Sequence, residues 1–262
     1  MNDYLVAVIL GIVEGLTEFL PVSSTFHLIA AARLLGHGEG EFAKLFEVFI
    51  QSGAVLAVLL LYWKRLKKDT ALLGKMLVAF VPTGLLGVLA YGTIKRIFFT
   101  SYFWMIGIFI LVGLAFFIFE ALVKKGTLAP RKPLIELSYK DALIIGLVQA
   151  LAFFPGVSRA GAVILAMMIL GFRRDDSAAF SFLLAIPTIF SAGLYDLYKT
   201  RDLILSSGAN VVSLVVGSLV AFLVAIVAVK WLIRYLQNHT LNIFGYYRLA
   251  AGLLFLLAIL FL

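Results

Sequence analysis

Cysteine is absent from the chain, so it can form no disulfide, carry out no thiol chemistry and hold no cysteine-ligated metal. That absence suits either side of a membrane and decides nothing about redox compartment. Charge is also scarce. Asp, Glu, Lys and Arg make up 14% of the residues against 63% hydrophobic, far outside a soluble globular profile. The N-terminus lacks a basic stretch and a small-residue cleavage site, so no cleavable signal is expected and the first apolar stretch belongs to the mature fold. The apolar runs are continuous rather than alternating, which excludes a transmembrane barrel. What remains is an all-α polytopic membrane protein, with several runs near or above the roughly 20 residues that cross a bilayer. The net charge of +8 is not a nucleic-acid footprint, because the basic residues sit at the ends of apolar runs, where they report topology.

Two interruptions organise the chain. The first helical pattern, residues 3–20, stops at Pro21 and resumes as a shorter one over 24–35. Neither piece spans comfortably, so the pair reads as a re-entrant hairpin lining a polar cavity, or else as one proline-kinked span. Spans are expected at about 42–63, 72–94 and 102–123, followed by a polar cytoplasmic linker over 126–137. The pattern then repeats. Gly11-Ile-Val-Glu14 is echoed by Gly146-Leu-Val-Gln149, and Phe19-Leu-Pro-Val-Ser-Ser24 by Phe154-Pro-Gly-Val-Ser158. Ser24 precedes Phe46 by the same interval, 22 residues, that separates Ser158 from Phe180. Spans at about 176–197, 208–233 and 243–262 complete a second half. A hairpin plus three spans is an odd number of crossings, so the halves 1–125 and 138–262 are expected to be inverted-topology repeats within a single membrane domain, with both hairpins meeting near the midplane. Lys64, Arg65, Lys67, Lys68, Lys124, Lys125, Arg131, Lys132, Arg173 and Arg174 fall on one side, against Lys95, Arg96, Lys199 and Arg201 on the other. The positive-inside bias makes the first set cytoplasmic and turns the first hairpin outward.

The first break also concentrates the chemistry. Glu14 and Glu18 share a helix face inside an apolar run, where each charge costs roughly 2.5–3.5 kcal/mol, so a cation, a shared proton or a water-filled pocket is implied. The pair suits a hard cation, Mg²⁺ or Ca²⁺. After each break a serine, Ser23 or Ser24 in the first and Ser158 in the second, can cap the next helix; an uncovered helix N-terminus is equally a site for phosphate. Arg159 offers a bidentate partner for phosphate oxygens, or an ion pair with Glu14 or Glu18. His27, three residues after Ser24, is spaced to take a proton from that hydroxyl, although a single interfacial histidine is often only a satisfied polar group. Glu47 and Gln51 share a face of the next span and can line the same cavity. Glu120 with Lys124 reads as an interfacial pair, and Asp175 and Asp176 as solvated charge. Asp196, beside Tyr195 and Tyr198, reads as an interface residue. His37 and His239 carry no signal.

At these residues the chain resembles the undecaprenyl-diphosphate phosphatase family, the bacitracin-resistance type of integral membrane enzyme. One motif is Glu14-Gly-Leu-Thr-Glu18-Phe-Leu-Pro-Val-Ser-Ser-Thr-Phe-His27 and the other is Pro155-Gly-Val-Ser-Arg159. Weaker likeness lies in Phe46 to Gln51, Phe180 to Pro187 and Asp196 to Lys199. The resemblance implies hydrolysis of an isoprenyl diphosphate on the outer face of the bacterial inner membrane, recycling a cell-wall lipid carrier. It also implies divalent-metal dependence, inverted repeats and a capacity to dimerise. Carried over by position, Glu14 and Glu18 match the acidic pair and metal ligands. Ser24 matches the candidate nucleophile, His27 the base and Arg159 the phosphate-binding arginine. Ser23, Thr25, Ser158, Gly156, Gln149 and Gln51 are the expected phosphate surroundings. Ala160 and Val163 stand where the family usually has Ser and Thr, each losing a hydroxyl worth about 0.5–1.5 kcal/mol if it bonded phosphate. Phe26 replaces a small residue and is expected to narrow the pocket. A lipid-phosphate flippase or anion transporter is the rival function, since broken helices in inverted repeats also build carriers. Transport does not need the Ser24–His27 pair.

Overall fold

The computed structural model describes residues 2–36, 40–98, 102–199, 201 and 208–261, all helical or connecting segments; His37 lies outside them. Helix α1 (Asp3–Thr17) begins at Asn2, whose side chain accepts the Tyr4 N–H at 3.0 Å, and α2 is Ser24–Leu34. These helices are about 22 and 16 Å long against the roughly 30 Å of a bilayer core, so neither crosses alone. The interruption covers residues 18–23, not a single kinked position. Three long helices follow, α3 (Glu41–Lys68), α4 (Thr70–Phe98) and α5 (Tyr102–Lys124). The second half opens with α6 (Tyr139–Gln149), started by a capping box between Ser138 and Asp141. A 3₁₀ turn (Ala150–Phe153) then leads to α7 (Arg159–Ile169). Helices α8 (Arg174–Lys199), α9 (Gly208–Asn238) and α10 (Asn242–Phe261) complete the chain. Six of these, α3–α5 and α8–α10, are long and apolar enough to cross a membrane.

Small residues decide which helices touch. Helix α1 lies along α9 and α6 along α4; α3 packs on α8 and α9, and α5 on α10. A Cβ at Gly11 or Gly15 would collide with the Gly217 or Ala221 carbonyl of α9, and one at Gly146 with the Ala79 carbonyl of α4. Close backbone approach through glycine holds helices together in lipid, where hydrophobic burial offers no drive. Thus Gly11 and its echo Gly146 serve the same purpose in the two hairpins.

The hairpins also correspond in backbone detail. Ser23 and Ser158 start α2 and α7 with the only positive non-glycine φ angles among the described residues, 66° and 69°. Both helices have 11 residues and are capped at their C-termini by Leu35 and Leu170, each followed by a positive-φ glycine, Gly36 and Gly171. The equal sequence intervals pair Ser24 with Ser158, but the helix starts pair Ser23 with Ser158. The correspondence of the helix starts is one residue off from that spacing.

The linker is not a free polar loop. The Arg131 and Lys132 N–H groups both donate to the Gly171 carbonyl, and Leu134 N–H donates to Asp176 at 3.2 Å. Leu134 and Leu137 are buried beneath it. Asp176 is therefore a docking acceptor, also paired with Arg173, and not simply solvated charge. Glu120 is likewise no partner of Lys124. It is buried, receives both ends of the Arg174 guanidinium, and accepts the Leu241 N–H at 2.9 Å, so it joins α5, α8 and the start of α10. A buried carboxylate needs donors, and here the Arg174 guanidinium and the Leu241 N–H supply them.

Candidate active site

The turn after α1 and the start of α7 meet at one carboxylate. Glu18, the residue that ends α1, is 7% exposed. Its Oε2 accepts the Ser24 hydroxyl at 2.5 Å and its Oε1 accepts Arg159 Nη2 at 3.0 Å. Arg159 Nη1 donates to the Ser181 carbonyl of α8 at 2.8 Å, while its buried Nε–H has no partner among the described residues. A charged hydrogen bond at each carboxylate oxygen orients the group and fixes both donors. The ion pair expected as an alternative role for Arg159 is thus formed, and one N–H remains for another acceptor.

The neighbouring Glu14 is wholly buried, and among the described residues no donor of another residue type bonds either of its oxygens. A carboxylate in that state calls for a proton or a cation. The two carboxylates, with all-oxygen donors, fit a hard divalent ion that takes its other ligands from water and phosphate. Glu47 of α3 lies within electrostatic reach of Glu14, but among the described residues no three acidic or imidazole side chains assemble a complete metal cage.

His27 is not turned toward Ser24. Its Nδ1 is 2.7 Å from the Ser23 carbonyl and its Nε2 is 2.6 Å from the Tyr247 hydroxyl, with the two rings stacked. A carbonyl can only accept, so Nδ1 carries the proton and in the neutral ring Nε2 accepts from tyrosine. The expected Ser24-to-His27 proton path is therefore not built in this conformation; a carboxylate occupies the place given to the imidazole.

The other expected residues divide. Ser158 is 8% exposed and its Oγ caps α7 through Gly161 N–H at 3.1 Å, so that helix start is taken. Neither Ser23 nor Ser24 caps α2: Ser23 makes no side-chain cap bond, and Ser24 is spent on Glu18. The phosphate-receptive helix start is consequently that of α2, where Thr25 is half-buried in the first turn. Gly156, at φ 98°, packs against the Met105 carbonyl of α5 and serves close approach. Gln149 donates to Thr83 and Thr188 and is not among the hydrogen-bond partners of Glu18, Ser24 or Arg159 in the described residues. Gln51 is half-buried on α3 and is not among the partners of Glu18, Ser24 or Arg159 in the described residues. Phe26 narrows no opening: it is 2% exposed, stacked 4.0 Å from Phe109 and edge-on to Phe255.

Arg248 escaped the sequence reading. It is completely buried, and its guanidinium donates to four carbonyls: Pro21 (2.8 Å), Phe109 (3.1 Å), Gly156 (2.9 Å) and Val157 (3.1 Å). One side chain thus ties both breaks to α5, with Phe109 and Phe116 beneath its cation. The signal was present, because Arg248 is the single charged residue of an otherwise apolar α10.

Comparisons with known proteins place the whole chain. The family described as bacitracin resistance protein BacA matches residues 7–254. The chain is 47% identical over 254 residues to the undecaprenyl-diphosphatase of Sulfurihydrogenibium sp. (strain YO3AOP1), covering 96% of this chain and 97% of that protein. It is 44% identical over 262 residues to the undecaprenyl-diphosphatase of Campylobacter fetus subsp. fetus, covering 98% and 100%. A third undecaprenyl-diphosphatase, from Aquifex aeolicus, is 41% identical over 249 residues, covering 95% and 96%. The acidic pair, the serine–histidine turn and the Pro155–Arg159 break therefore sit in a chain that belongs, over nearly its whole length, to the bacitracin resistance protein BacA family.

Proposed function

We propose that this membrane protein hydrolyses undecaprenyl diphosphate to undecaprenyl phosphate and inorganic phosphate. The observation that carries the reading is the Glu18 junction, where a hydroxyl from one hairpin and a guanidinium from the other share one buried carboxylate. Near full-length relatives named for this activity support it. They do not favour the carrier reading.

In the proposed reaction, Ser24 Oγ bonds to the terminal phosphorus as the bond to the bridging oxygen breaks, and that oxygen leaves on the lipid monophosphate. Glu18, already holding the Ser24 hydrogen bond, takes its proton. Arg159 Nε–H, unpartnered here, donates to the transferred group, and the uncapped start of α2 faces the same charge with its backbone N–H groups. Water then opens the phosphoserine. Glu18 returns its proton to Ser24 Oγ as the Oγ–phosphorus bond breaks, and the water's oxygen and both of its hydrogens leave with the inorganic phosphate. Glu14 and Glu18 would hold Mg²⁺ or Ca²⁺, which supplies charge neutralisation to the phosphate oxygens.

The architecture supports two inverted-topology repeats, 1–125 and 138–262, joined by 126–137. Hairpin helix α1 packs on α9 as α6 packs on α4, and the third long helices of the two halves, α5 and α10, pack on each other. Each half has a hairpin that turns back and three spans that cross, so the copies run in opposite senses. The concentration of Lys and Arg at 64–68, 124–132 and 173–174 supports a first hairpin opening to the outer, periplasmic face of the plasma membrane, with the polyprenyl tail between helices.

The test is release of inorganic phosphate from undecaprenyl diphosphate by the purified protein in detergent, with and without a chelator. Expected is chelator-sensitive release that is lost in Glu18→Gln and in Arg159→Ala. Absence of release from folded wild type, with uptake of the lipid or anion in liposomes, would overturn the reading.

A further inference from the structure

We infer that the adjacent residues Tyr247 and Arg248 of α10 are positioning residues, which together hold the Pro21–Ser23 turn in the strained form that presents Ser24 to Glu18. The inference rests on the phosphatase reading above. It does not depend on whether Ser24 or a water attacks first.

The turn needs holding. Ser23 sits at φ 66°, a left-handed conformation unfavourable for a residue with a Cβ, and such strain persists only where surroundings fix it. Its own side chain gives no help, since it makes no cap bond to α2. Two carbonyls of the turn are held instead from α10. Arg248 Nε donates to the Pro21 carbonyl at 2.8 Å. His27 Nδ1–H donates to the Ser23 carbonyl at 2.7 Å, and the Tyr247 hydroxyl reaches His27 Nε2 at 2.6 Å.

Each contact is directional. With Tyr247 donating to Nε2, the imidazole keeps its proton on Nδ1, the tautomer that can bond a carbonyl. Without Tyr247 the other tautomer becomes available, and it presents a lone pair to the Ser23 carbonyl. Arg248 has four N–H bonds to four carbonyls and no carboxylate partner among its bonds. It therefore acts through the planar spread of its donors, which an ammonium cannot copy. Its Nη groups fix Gly156 and Val157 just before the second strained serine, Ser158, so the same residue sets the distance between the two breaks. On this assignment His27 itself is a positioning residue in the resting enzyme. It is fixed by Tyr247 and in turn fixes Ser23.

The experiment measures kcat and KM for phosphate release from undecaprenyl diphosphate in detergent. The variants are Tyr247→Phe, His27→Ala, the double variant and Arg248→Lys, each shown to be monodisperse and with thermal unfolding compared with wild type. Tyr246→Phe, an exposed neighbour packed on Phe117, serves as the control and stays at wild-type rates. Misplacing a reacting group by a fraction of its bond length lowers kcat by about ten- to a hundredfold. Tyr247→Phe is expected to show such a fall with KM within about twofold of wild type. It is expected to add nothing further on the His27→Ala background, because Tyr247 acts only through that ring. Arg248→Lys, which keeps the charge, is expected to lose kcat to at least the same degree. Wild-type kcat in folded Tyr247→Phe overturns the inference, as does full activity in Arg248→Lys or an additive double variant. An inactive folded wild type refutes the phosphatase reading instead, so the two failures are distinguishable.

Discussion

Ser24 and Arg159 hold the same place in their hairpins, each the first residue of its helix after a positive-φ serine, and both bond Glu18. One backbone position thus carries a hydroxyl after the first break and a guanidinium after the second, the groups that the proposed reaction uses as nucleophile and phosphate partner. Glu18 has no acidic counterpart, because Phe153 lies at the equivalent point before Ser158. One composite site results, not two.

Ser24→Ala and Glu18→Gln should therefore both disable the enzyme, but differently. Loss of a positioned acid–base group lowers rate by about 10²–10⁴-fold. Glu18→Gln keeps the Ser24 hydroxyl while removing its proton acceptor, and it also releases Arg159. Brief reaction with undecaprenyl diphosphate followed by acid quench should yield phosphoserine at Ser24 in wild type. Full activity of Ser24→Ala, or a quenched enzyme with no phosphoserine, would leave water as the nucleophile.

Most of this fold was readable because lipid makes polar residues conspicuous. Glu14, Glu18, Pro21 and Arg159 interrupt apolar runs, and an interruption in a span has to be for something. Which donor meets which acceptor was not readable. His27 and Ser24 share a helical face, yet the ring is captured by Tyr247, more than 200 positions away in the chain. The Glu120–Lys124 spacing likewise fits a helical pair, but Arg174 arrives from another helix with a bidentate fork and outcompetes it. Arg248 shows in the sequence only as a charge in α10, and a single arginine makes no motif. Its meaning lies in four backbone carbonyls, which carry no residue-specific signal.

Arg159→Lys should be nearly as damaging as Arg159→Ala. The guanidinium uses Nη1 on Ser181, Nη2 on Glu18 and leaves Nε for the substrate, three directions fixed by one plane. A lysine ammonium keeps the charge and loses that geometry. Expected is a loss in kcat/KM of roughly 10²-fold or more, about 3 kcal/mol of transition-state stabilisation. A lysine variant within tenfold of wild type would mean that charge alone suffices.

Gln149→Glu tests whether the second hairpin could have been a second acidic site. Thr83 Oγ1 donates to the Gly146 carbonyl and Thr188 Oγ1 to the Leu184 carbonyl, so both hydroxyl hydrogens are committed. The Gln149 amide, 1% exposed, supplies N–H to both oxygens. An ionised glutamate would set its lone pairs against theirs in a buried place, at a cost of about 1–3 kcal/mol or more. Thermal unfolding in detergent should show the destabilisation, with no gain in metal binding or in phosphate release. Unchanged stability would mean that a cation or proton enters there too.

Glu120→Gln should separate stability from catalysis. The carboxylate holds Arg174 and the Leu241 N–H where α5, α8 and α10 meet, and it makes no contact with the Glu18 junction. Removing one partner of a buried pair costs up to about 3–5 kcal/mol, less here because the Arg174 side chain keeps 21% of its surface exposed. The variant should unfold at lower temperature while kcat and KM, measured well below that temperature, stay at wild-type values. Lys124→Ala should change neither quantity, since Lys124 is not the partner. A fall in kcat in folded Glu120→Gln would show that the junction of α5, α8 and α10 at Glu120 reaches the site mechanically, through the helix that carries Tyr247 and Arg248.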